Sequence, residues 1–540
     1  MRFRVRTIGS LLALSVMVLG LHGGTALGDV YTWTGATGDG VWGTTGNWAG
    51  GVAAPVDGTY TDAATLAVSY TSGSRALTYS ADQGHTTYAN TTAGAGLLVK
   101  AGAFNITGGT FEVAGSTYDQ LGTTTGNGTM TVSGGGTYLN TSTAANVLVM
   151  QYSGNTKAAL NVNDGGLVAV NTLRMNMQGG ATSTGSATAT IRSGGTLSTN
   201  AVYEKSGSGI TSQLYFYGGT FQARNANAYI GMAGGAVGLL DSVKLYGSSA
   251  GGTTTGGVIF DSNGYNITVL NALAYGTAAG CVTKVGEGTL TLGAGLTNTY
   301  WGATTVNAGK LVVNGSIDRS SGVILAAGAT LGGTGSVTTI SGAGSVGPGN
   351  SPGILTASNI DPSAGTDFSF ELTAAAPTYS SGTANSSNDV LRLTGVTHSQ
   401  NVTANVSPIT SALTSDNVVD VYFGLSSLAA GDSFLGGFYE DGATDFTSMI
   451  SGASYNFFVL GDGAGTHAYN GVNYYTLAEY NAGLSVDVAT VASSAEFVAG
   501  TTVNGGVTQF TVAAVPEPAT AVMLLGGLLG LVAYAWRKRK

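Results

Sequence analysis

A Gly-Gly doublet that recurs through the first half of the chain constrains the fold more than any other feature. The doublet recurs at Gly108, Gly135, Gly165, Gly194 and Gly218, in steps of 27, 30, 29 and 24 residues. A sequence period of about 20 to 50 residues is typical of solenoids, in which one coil cannot bury its apolar face until the next coil stacks on it. The period therefore predicts a stack of similar coils.

Apolar residues alternate before each doublet and resume directly after it. The residues before the doublets are Phe104/Ile106, Met130/Val132, Leu160/Val162, Ala189/Ile191 and Leu214/Phe216, and those after them are Phe111, Tyr138, Leu167, Leu197 and Phe221. Alternation with a period of two is typical of a half-buried strand, and Gly tolerates the positive φ of a tight corner. We therefore predict an all-β fold whose body is a right-handed parallel β-helix, or β-solenoid.

Composition agrees with an exported, strand-rich chain. Gly accounts for 88 of the 540 residues, and charged residues for only 9%, against about 25% in ordinary globular domains. Without residues 1–28, which hold three Arg, and 516–540, which hold four basic residues and one acid, 12 basic and 27 acidic residues remain, a net charge of −15. A body this acidic repels phosphate backbones, so we expect no nucleic-acid partner.

The N-terminus has the pattern of a secretory signal peptide. Three arginines (Arg2, Arg4 and Arg6) precede an apolar stretch over residues 8–21, and Ala26 and Gly28 supply small residues at the positions that a signal peptidase reads. We predict that signal peptidase cleaves before Asp29.

The C-terminus combines three ordered features. Pro516, Glu517 and Pro518 keep the peptide extended. The following 18 residues, 519–536, carry no charge, and a helix of that length, about 27 Å, spans a bilayer core. A final basic cluster favours the cytoplasmic side; it consists of Arg537, Lys538, Arg539 and Lys540. We predict a transmembrane helix that tethers the body at the inner membrane.

These three features in this order resemble the PEP-CTERM sorting signal of Gram-negative bacteria. The resemblance implies that a membrane-embedded exosortase recognises and processes the tail. It also implies delivery of the body to the cell envelope or the extracellular matrix.

A second repeat follows the Gly-Gly coils. Its core is Lys284-Val-Gly-Glu-Gly-Thr-Leu-Thr-Leu292, followed by Thr304-Thr-Val-Asn-Ala-Gly-Lys-Leu-Val-Val-Asn-Gly315. This block closely resembles the autotransporter-associated beta strand repeat, over residues 284–356. The resemblance implies a β-helical, passenger-like body.

Tryptophan is concentrated just after the predicted cleavage site. Trp33, Trp42 and Trp48 are three of the five in the chain. We interpret them as a hydrophobic cap on the open end of the solenoid, which would otherwise aggregate. The alternative is a platform that stacks on sugar rings of an extracellular polysaccharide.

No residue pattern predicts catalysis, a metal site or a cofactor. Glu440, Asp441 and Asp445 have no basic companion, so we interpret them as a solvated loop. The four histidines are scattered, and Cys281 is the only cysteine. We therefore favour a non-enzymatic structural or adhesive protein. The alternative is a carbohydrate-binding or carbohydrate-active β-helix, related in mechanism to lyases or hydrolases, which would place several acids and a basic residue in one groove.

The sequence thus divides into six predicted regions. They are a signal peptide (1–28), a Trp-rich cap with the first strands (29–100), Gly-Gly coils (101–283), the second repeat (284–356), a β-rich region that is β-sandwich-like or an irregular solenoid end (357–514), and the sorting signal (515–540).

Overall fold

The computed structural model describes a long stack of β-strands. It covers residues 30–34, 36 and 42–50, and residues 97–394 except for 115–117, 124–125, 143–147, 152–154, 178–182, 208, 233–236, 248–255, 278, 351–352, 362–363 and 373–388. Elsewhere, up to residue 514, it describes Ser80 and the strands given below. The signal peptide and the residues from 515 onward lie outside the described residues, as does the predicted transmembrane helix over 519–536.

The strands form three sheets, which we call sheets A, B and C. Sheet C holds the strands Ala76–Tyr79, Gly102–Ile106, Gly128–Val132, Lys157–Val162, Ser186–Arg192, Thr211–Tyr217, Ser242–Leu245 and Leu273–Tyr275. Sheet B holds Gly58–Tyr60, His85–Ala89, Thr110–Ala114, Thr137–Asn140, Leu167–Ala169, Thr196–Ser198, Gly219–Gln222, Val258–Asp261, Val282–Val285, Thr304–Val306, Val323–Leu325, Ser336–Gly342, Ile354–Asp361, Val390–Leu393 and Ser433–Glu440. Sheet A holds Val30–Trp33, Thr65–Val68, Leu97–Val99, Asp119–Leu121, Leu148–Met150, Thr172–Arg174, Ala201–Lys205, Ala228–Ile230, Ile267–Val269, Thr289–Leu292, Lys310–Val313, Thr330–Gly332, Ser345–Val346, Asp367–Leu372, Val418–Leu425 and Ser454–Leu460.

Up to Tyr275 each coil contributes one strand to each sheet in turn, and successive coils pair in parallel. In sheet C, the inward-facing Phe104 lies in register with Met130, Leu160, Ala189 and Leu214 of the following coils, and all five side chains are buried. Burial of a large apolar side chain contributes roughly 1.5–3 kcal/mol, so these rows hold the coils together. The prediction of an all-β solenoid of stacked parallel strands is confirmed.

The two glycines of a doublet have different roles at the corner between sheets C and B. Gly165 has a φ of 78°, in the left-handed region that favours glycine. Gly166 instead allows close packing between coils, because a Cβ atom there would lie 2.2 Å from the carbonyl oxygen of Val132. Beyond this corner the inward position is taken by Val168, which pairs with Tyr138 and Leu197, whereas Leu167 is only half-buried. The apolar residue that follows this doublet in the sequence pattern, Leu167, is therefore not the one that points inward.

Asparagine side chains join successive coils at other corners. The Oδ1 atom of Asn127 accepts the backbone N–H of Lys157 at 2.7 Å, and that of Asn176 accepts the N–H of Lys205 at 2.8 Å. Asn266 does the same for Thr289, at 2.9 Å. These bonds satisfy backbone donors at the first or last residue of a strand.

Sheet C ends where the second repeat begins. After the strand Leu273–Tyr275, Asn298 accepts the N–H of Leu273 (2.8 Å), and Thr299 donates its N–H to the carbonyl of Leu273 (2.9 Å). Asn298 and Thr299 therefore cover the last edge of the sheet. The following coils have two strands and are shorter: Thr304 pairs with Val323, 19 positions on, whereas Leu160 pairs with Ala189, 29 positions on.

The described strands within residues 357–514 continue sheets A and B. The strands Val418–Leu425 and Ser454–Leu460 continue sheet A in parallel, and Ser433–Glu440 continues sheet B. Antiparallel strands then pair with the last ones: Val472–Thr476 with sheet A and Val507–Ala514 with sheet B. The remaining strands are His467–Tyr469, Val486–Ala489 and, beside Ala201–Lys205, Val237–Gly238, and one 3-10 turn lies at Thr45–Asn47. Of the two alternatives, the described strands correspond to the irregular solenoid end.

Candidate functional site

The three tryptophans near the N-terminus pack into one cluster. The ring centroids of Trp33 and Trp48 are 5.1 Å apart, and those of Trp42 and Trp48 are 5.2 Å apart, in both cases edge to face. The indole N–H of Trp48 donates to the carbonyl oxygen of Trp42 at 2.7 Å. Trp42 also packs against Tyr79, the last residue of the first sheet C strand, at 5.5 Å.

This cluster belongs to the solenoid core. Trp33 is fully buried, and Trp42 and Trp48 are 4% and 3% exposed. A sugar-stacking platform needs an exposed ring face, and none of these three rings offers one in this arrangement. The burial therefore favours the cap over the platform. The segment that carries Trp48 also pairs with the edge strand, because Ala49 donates its N–H to the carbonyl of Thr32 at 2.8 Å.

The two predicted processing sites fall outside the described residues. These are the signal peptidase site at Ala26, Gly28 and Asp29, and the sorting signal at Pro516, Glu517, Pro518, Arg537, Lys538, Arg539 and Lys540. Residues 441–453, which include Asp441 and Asp445, also fall outside. Within the part of the chain that the structure does describe, no helix is long and apolar enough to cross a membrane.

A groove that the sequence did not predict lies on the two-sheet part of the body. Its cavity measures about 240 Å³ and contains one lysine, Lys310, and two carboxyl groups, Glu371 and Asp389. The hydroxyls of Thr330 and Ser345 also line it and hydrogen-bond each other at 3.1 Å. Lys310, Thr330 and Ser345 come together because they occupy one register position of sheet A in three successive coils.

The carboxyl group of Asp389 is 3% exposed and fixed by the backbone. Its Oδ1 accepts the N–H of Gly353 at 2.7 Å, and its Oδ2 accepts the N–H of Glu371, also at 2.7 Å. Burial raises the pKa of Asp389 to about 7, although these two hydrogen bonds lower it. The nearby Glu371 raises this pKa further, and Lys310 lowers it.

The groove escapes sequence analysis because its residues are far apart in the chain. Glu371 stands at an alternate position within Asp367–Leu372 and Asp389 stands directly before Val390–Leu393, so each is an ordinary polar residue in its local pattern. Glu371 and Asp389 come together only because the length of the coil places them side by side. The one usable signal is a lysine that opens the apolar strand Lys310–Val313.

Two family models match the chain. The model of the PEP-CTERM protein-sorting motif matches residues 514–540. The model of the passenger-associated-transport-repeat matches residues 282–313, which are the first two coils of the two-sheet part. A comparison with curated proteins finds no match.

The sorting motif implies processing by an exosortase and export to the cell envelope or surface. The repeat match agrees with the parallel β-structure of the body. The chain thus carries a PEP-CTERM sorting motif at residues 514–540 and a passenger-associated-transport-repeat in its β-solenoid body.

Proposed function

We propose that this protein is an exported, non-enzymatic structural or adhesive β-solenoid. A signal peptidase releases it at Asp29, and the helix over 519–536 holds the body at the inner membrane until an exosortase processes the tail at Pro516-Glu517-Pro518. The single observation that carries this proposal is the match of the sorting motif to residues 514–540, which begins at the last residue of the strand Val507–Ala514.

The outer surface of the body supports a structural role. On sheet C the outward positions of the first coils are small or uncharged, as in Ala103, Asn105, Thr129 and Thr131. Parallel strands in one sheet are expected to be joined by right-handed crossovers, so every coil winds in the same direction. Equivalent outward residues therefore repeat from coil to coil along one face. A long, regular and weakly charged face suits a scaffold or an adhesive surface better than a catalytic cleft.

A Pro516→Ala/Pro518→Ala variant tests the sorting step in the native host. We expect it to accumulate uncut in the inner-membrane fraction, because the extended proline-flanked peptide that the exosortase reads is lost. The matched control is Thr520→Ala, which changes a residue just after Pro516-Glu517-Pro518 and is expected to be sorted normally. Normal release of the double proline variant would defeat the sorting proposal.

The adhesive role is tested by comparing strains that produce the full chain, a chain ending at Ala514, or no chain. We expect the full chain alone to increase the biomass retained on a surface. Equal retention by the full-chain and null strains would exclude adhesion and leave a purely structural role.

The groove at Lys310, Glu371 and Asp389 supports a second candidate, a carbohydrate-active β-helix, because two acids and a cation share one cavity. The backbone bonds to both oxygens of Asp389 favour a structural role for that carboxyl. The test is release of oligosaccharides from acidic and neutral polysaccharides by the purified chain. We expect none; release that a Glu371→Gln variant abolishes would establish the enzyme instead.

A further inference from the structure

Three tyrosines form a patch on the outward face of sheet C. Tyr215 and Tyr217 alternate with the buried Leu214 and Phe216 in the strand Thr211–Tyr217, so both point out of the solenoid. Tyr246 follows the strand of the next coil. Its ring stacks on that of Tyr217 with centroids 4.1 Å apart and planes 9° apart, and it meets Tyr215 edge to face at 5.5 Å.

The three phenol groups are close enough to influence one another. Partial burial raises the pKa of Tyr246 to about 12, and the neighbouring phenols of Tyr217 and Tyr215 add to the rise. Burial also raises the pKa of Tyr215. Each tyrosine hydroxyl of the patch can donate and accept a hydrogen bond.

Two cations frame the tyrosines. The guanidinium of Arg192 lies over the ring of Tyr217, 4.6 Å from its centroid. Lys244 lies in register with Tyr215 in the next coil, at an outward position of the strand Ser242–Leu245. Among the described residues neither cation has an ion-pair partner within 4 Å. Arg192 and Lys244 are two coils apart, which corresponds to about 10 Å along the solenoid.

This patch differs from the rest of the same face and of the chain. At the register position of Tyr215 the earlier coils carry the small or polar residues Thr131, Asn161 and Thr190. The chain as a whole has a net charge of −9. Most of the surface therefore repels a polyanion, whereas the two cations beside the tyrosines attract it. This difference in electrostatic potential favours the tyrosine patch as the docking site.

We propose that the patch formed by Arg192, Tyr215, Tyr217, Lys244 and Tyr246 binds an acidic, uronate-bearing polysaccharide. The cations pair with carboxylates on separate sugar units, while the tyrosine hydroxyls and ring edges contact sugar hydroxyls and C–H groups. The inference deepens the proposed structural role by naming its partner. Its test uses purified protein, so failure of binding and failure of sorting give separate results.

The experiment is affinity electrophoresis of the purified full chain in gels that contain polygalacturonate, dextran or DNA. We expect retardation by polygalacturonate, weakened by added salt, and none by dextran. An Arg192→Gln/Lys244→Gln variant should bind polygalacturonate at least about tenfold more weakly, because two charge-assisted contacts are lost. Its matched control, Lys100→Gln/Lys157→Gln, removes two exposed lysines elsewhere and should bind as the parent does.

A second pair of variants tests the tyrosines without a change of charge. Tyr246→Ala should weaken binding, whereas Tyr265→Ala, which removes a tyrosine that is 38% exposed elsewhere, should not. If Tyr246→Ala unfolds at the same temperature as the parent, its weaker binding is not caused by lost folding. If its unfolding temperature changes, Tyr246→Phe, which keeps the ring, is used in its place. Equal retardation of parent and both patch variants, or equally strong binding to DNA or dextran, would overturn the proposal.

Discussion

The ammonium of Lys284 donates a hydrogen bond to the carbonyl oxygen of Ala308, 3.2 Å away in the next coil. The same Nζ atom donates to the carbonyl of Gly286 at 2.6 Å in its own coil and to Oγ of Ser262 at 2.9 Å in the preceding coil. Lys284 is fully buried. It therefore joins three successive coils at the corner after sheet B, within the passenger-associated-transport-repeat.

Replacement of this lysine should loosen the repeat. Lys284→Met keeps much of the side-chain volume but leaves buried oxygen atoms without their donor, at a cost of about 1–3 kcal/mol. The measurement is the free energy of unfolding in denaturant, with Lys100→Met at an exposed position as control. A Lys284→Met protein as stable as the control would show that the three-coil contact contributes nothing net.

The fold was predictable where sequence and backbone geometry are linked locally. Gly165 and Gly194 marked corners because their positive φ needs glycine, and Leu160 and Val162 marked the inward face because strands alternate. The buried Lys284 was not predictable, since lysines lie mostly on the surface. Its position depends on carbonyl groups from three coils.

Contacts between coils account for the other features that the sequence did not predict. The end of sheet C at Tyr275 is one of them, because Asn298 and Thr299, which cover its edge, lie in a polar segment without alternation. The groove around Asp389 likewise depends on coil length. The tyrosine patch needs the register that places Tyr246 beside Tyr217.

The two glycines of one doublet should respond differently to alanine. Gly165→Ala should cost about 1–2 kcal/mol, because its φ is positive but its surroundings are open, with the nearest atom 3.5 Å from the added Cβ. Gly166→Ala should cost more, since its Cβ would lie 2.2 Å from the carbonyl oxygen of Val132 and the coils must separate. Denaturant unfolding of both variants checks the order; a smaller loss for Gly166→Ala would contradict the two roles.

The tryptophan cap should be needed for stability of the N-terminal coils. Trp48→Ala removes a buried ring and its hydrogen bond to Trp42, and such core truncations cost about 3–5 kcal/mol. Limited proteolysis should then cut the first coils sooner, whereas Tyr229→Ala, at a 37% exposed position, should change little. Equal protease resistance of the two variants would argue against a capping role.

Stability should fall as the pH rises from about 4 to 7. Burial raises the pKa of Glu204 to about 7 from 4.5, and that of Asp389 to about 7 from 3.8. The folded state therefore binds more protons than the unfolded state in this window, so its advantage is present at low pH and is lost as the pH passes the folded pKa.

The pH dependence of the free energy of unfolding checks this sign. A Glu204→Gln/Asp389→Asn variant should show a flatter profile between pH 4 and 7, while Glu112→Gln, at a half-buried outward position, keeps the parent's slope. Burial lowers the pKa of Lys284 from 10.5 to about 8. Between these two pH values the unfolded state binds more protons than the folded state, so the free energy of unfolding should rise again from pH 8 to 10.5. A parent profile that rises from pH 4 to 7 would contradict the assignment of these buried carboxyls.

The intact mass of the protein recovered from the envelope and medium of its native host tests the central claim most directly. We predict a mature form that begins at Asp29 and ends between Pro516 and Pro518, because both termini are removed during export and sorting. A form that retains Arg537–Lys540 would contradict exosortase processing and identify the protein as a permanently tethered solenoid.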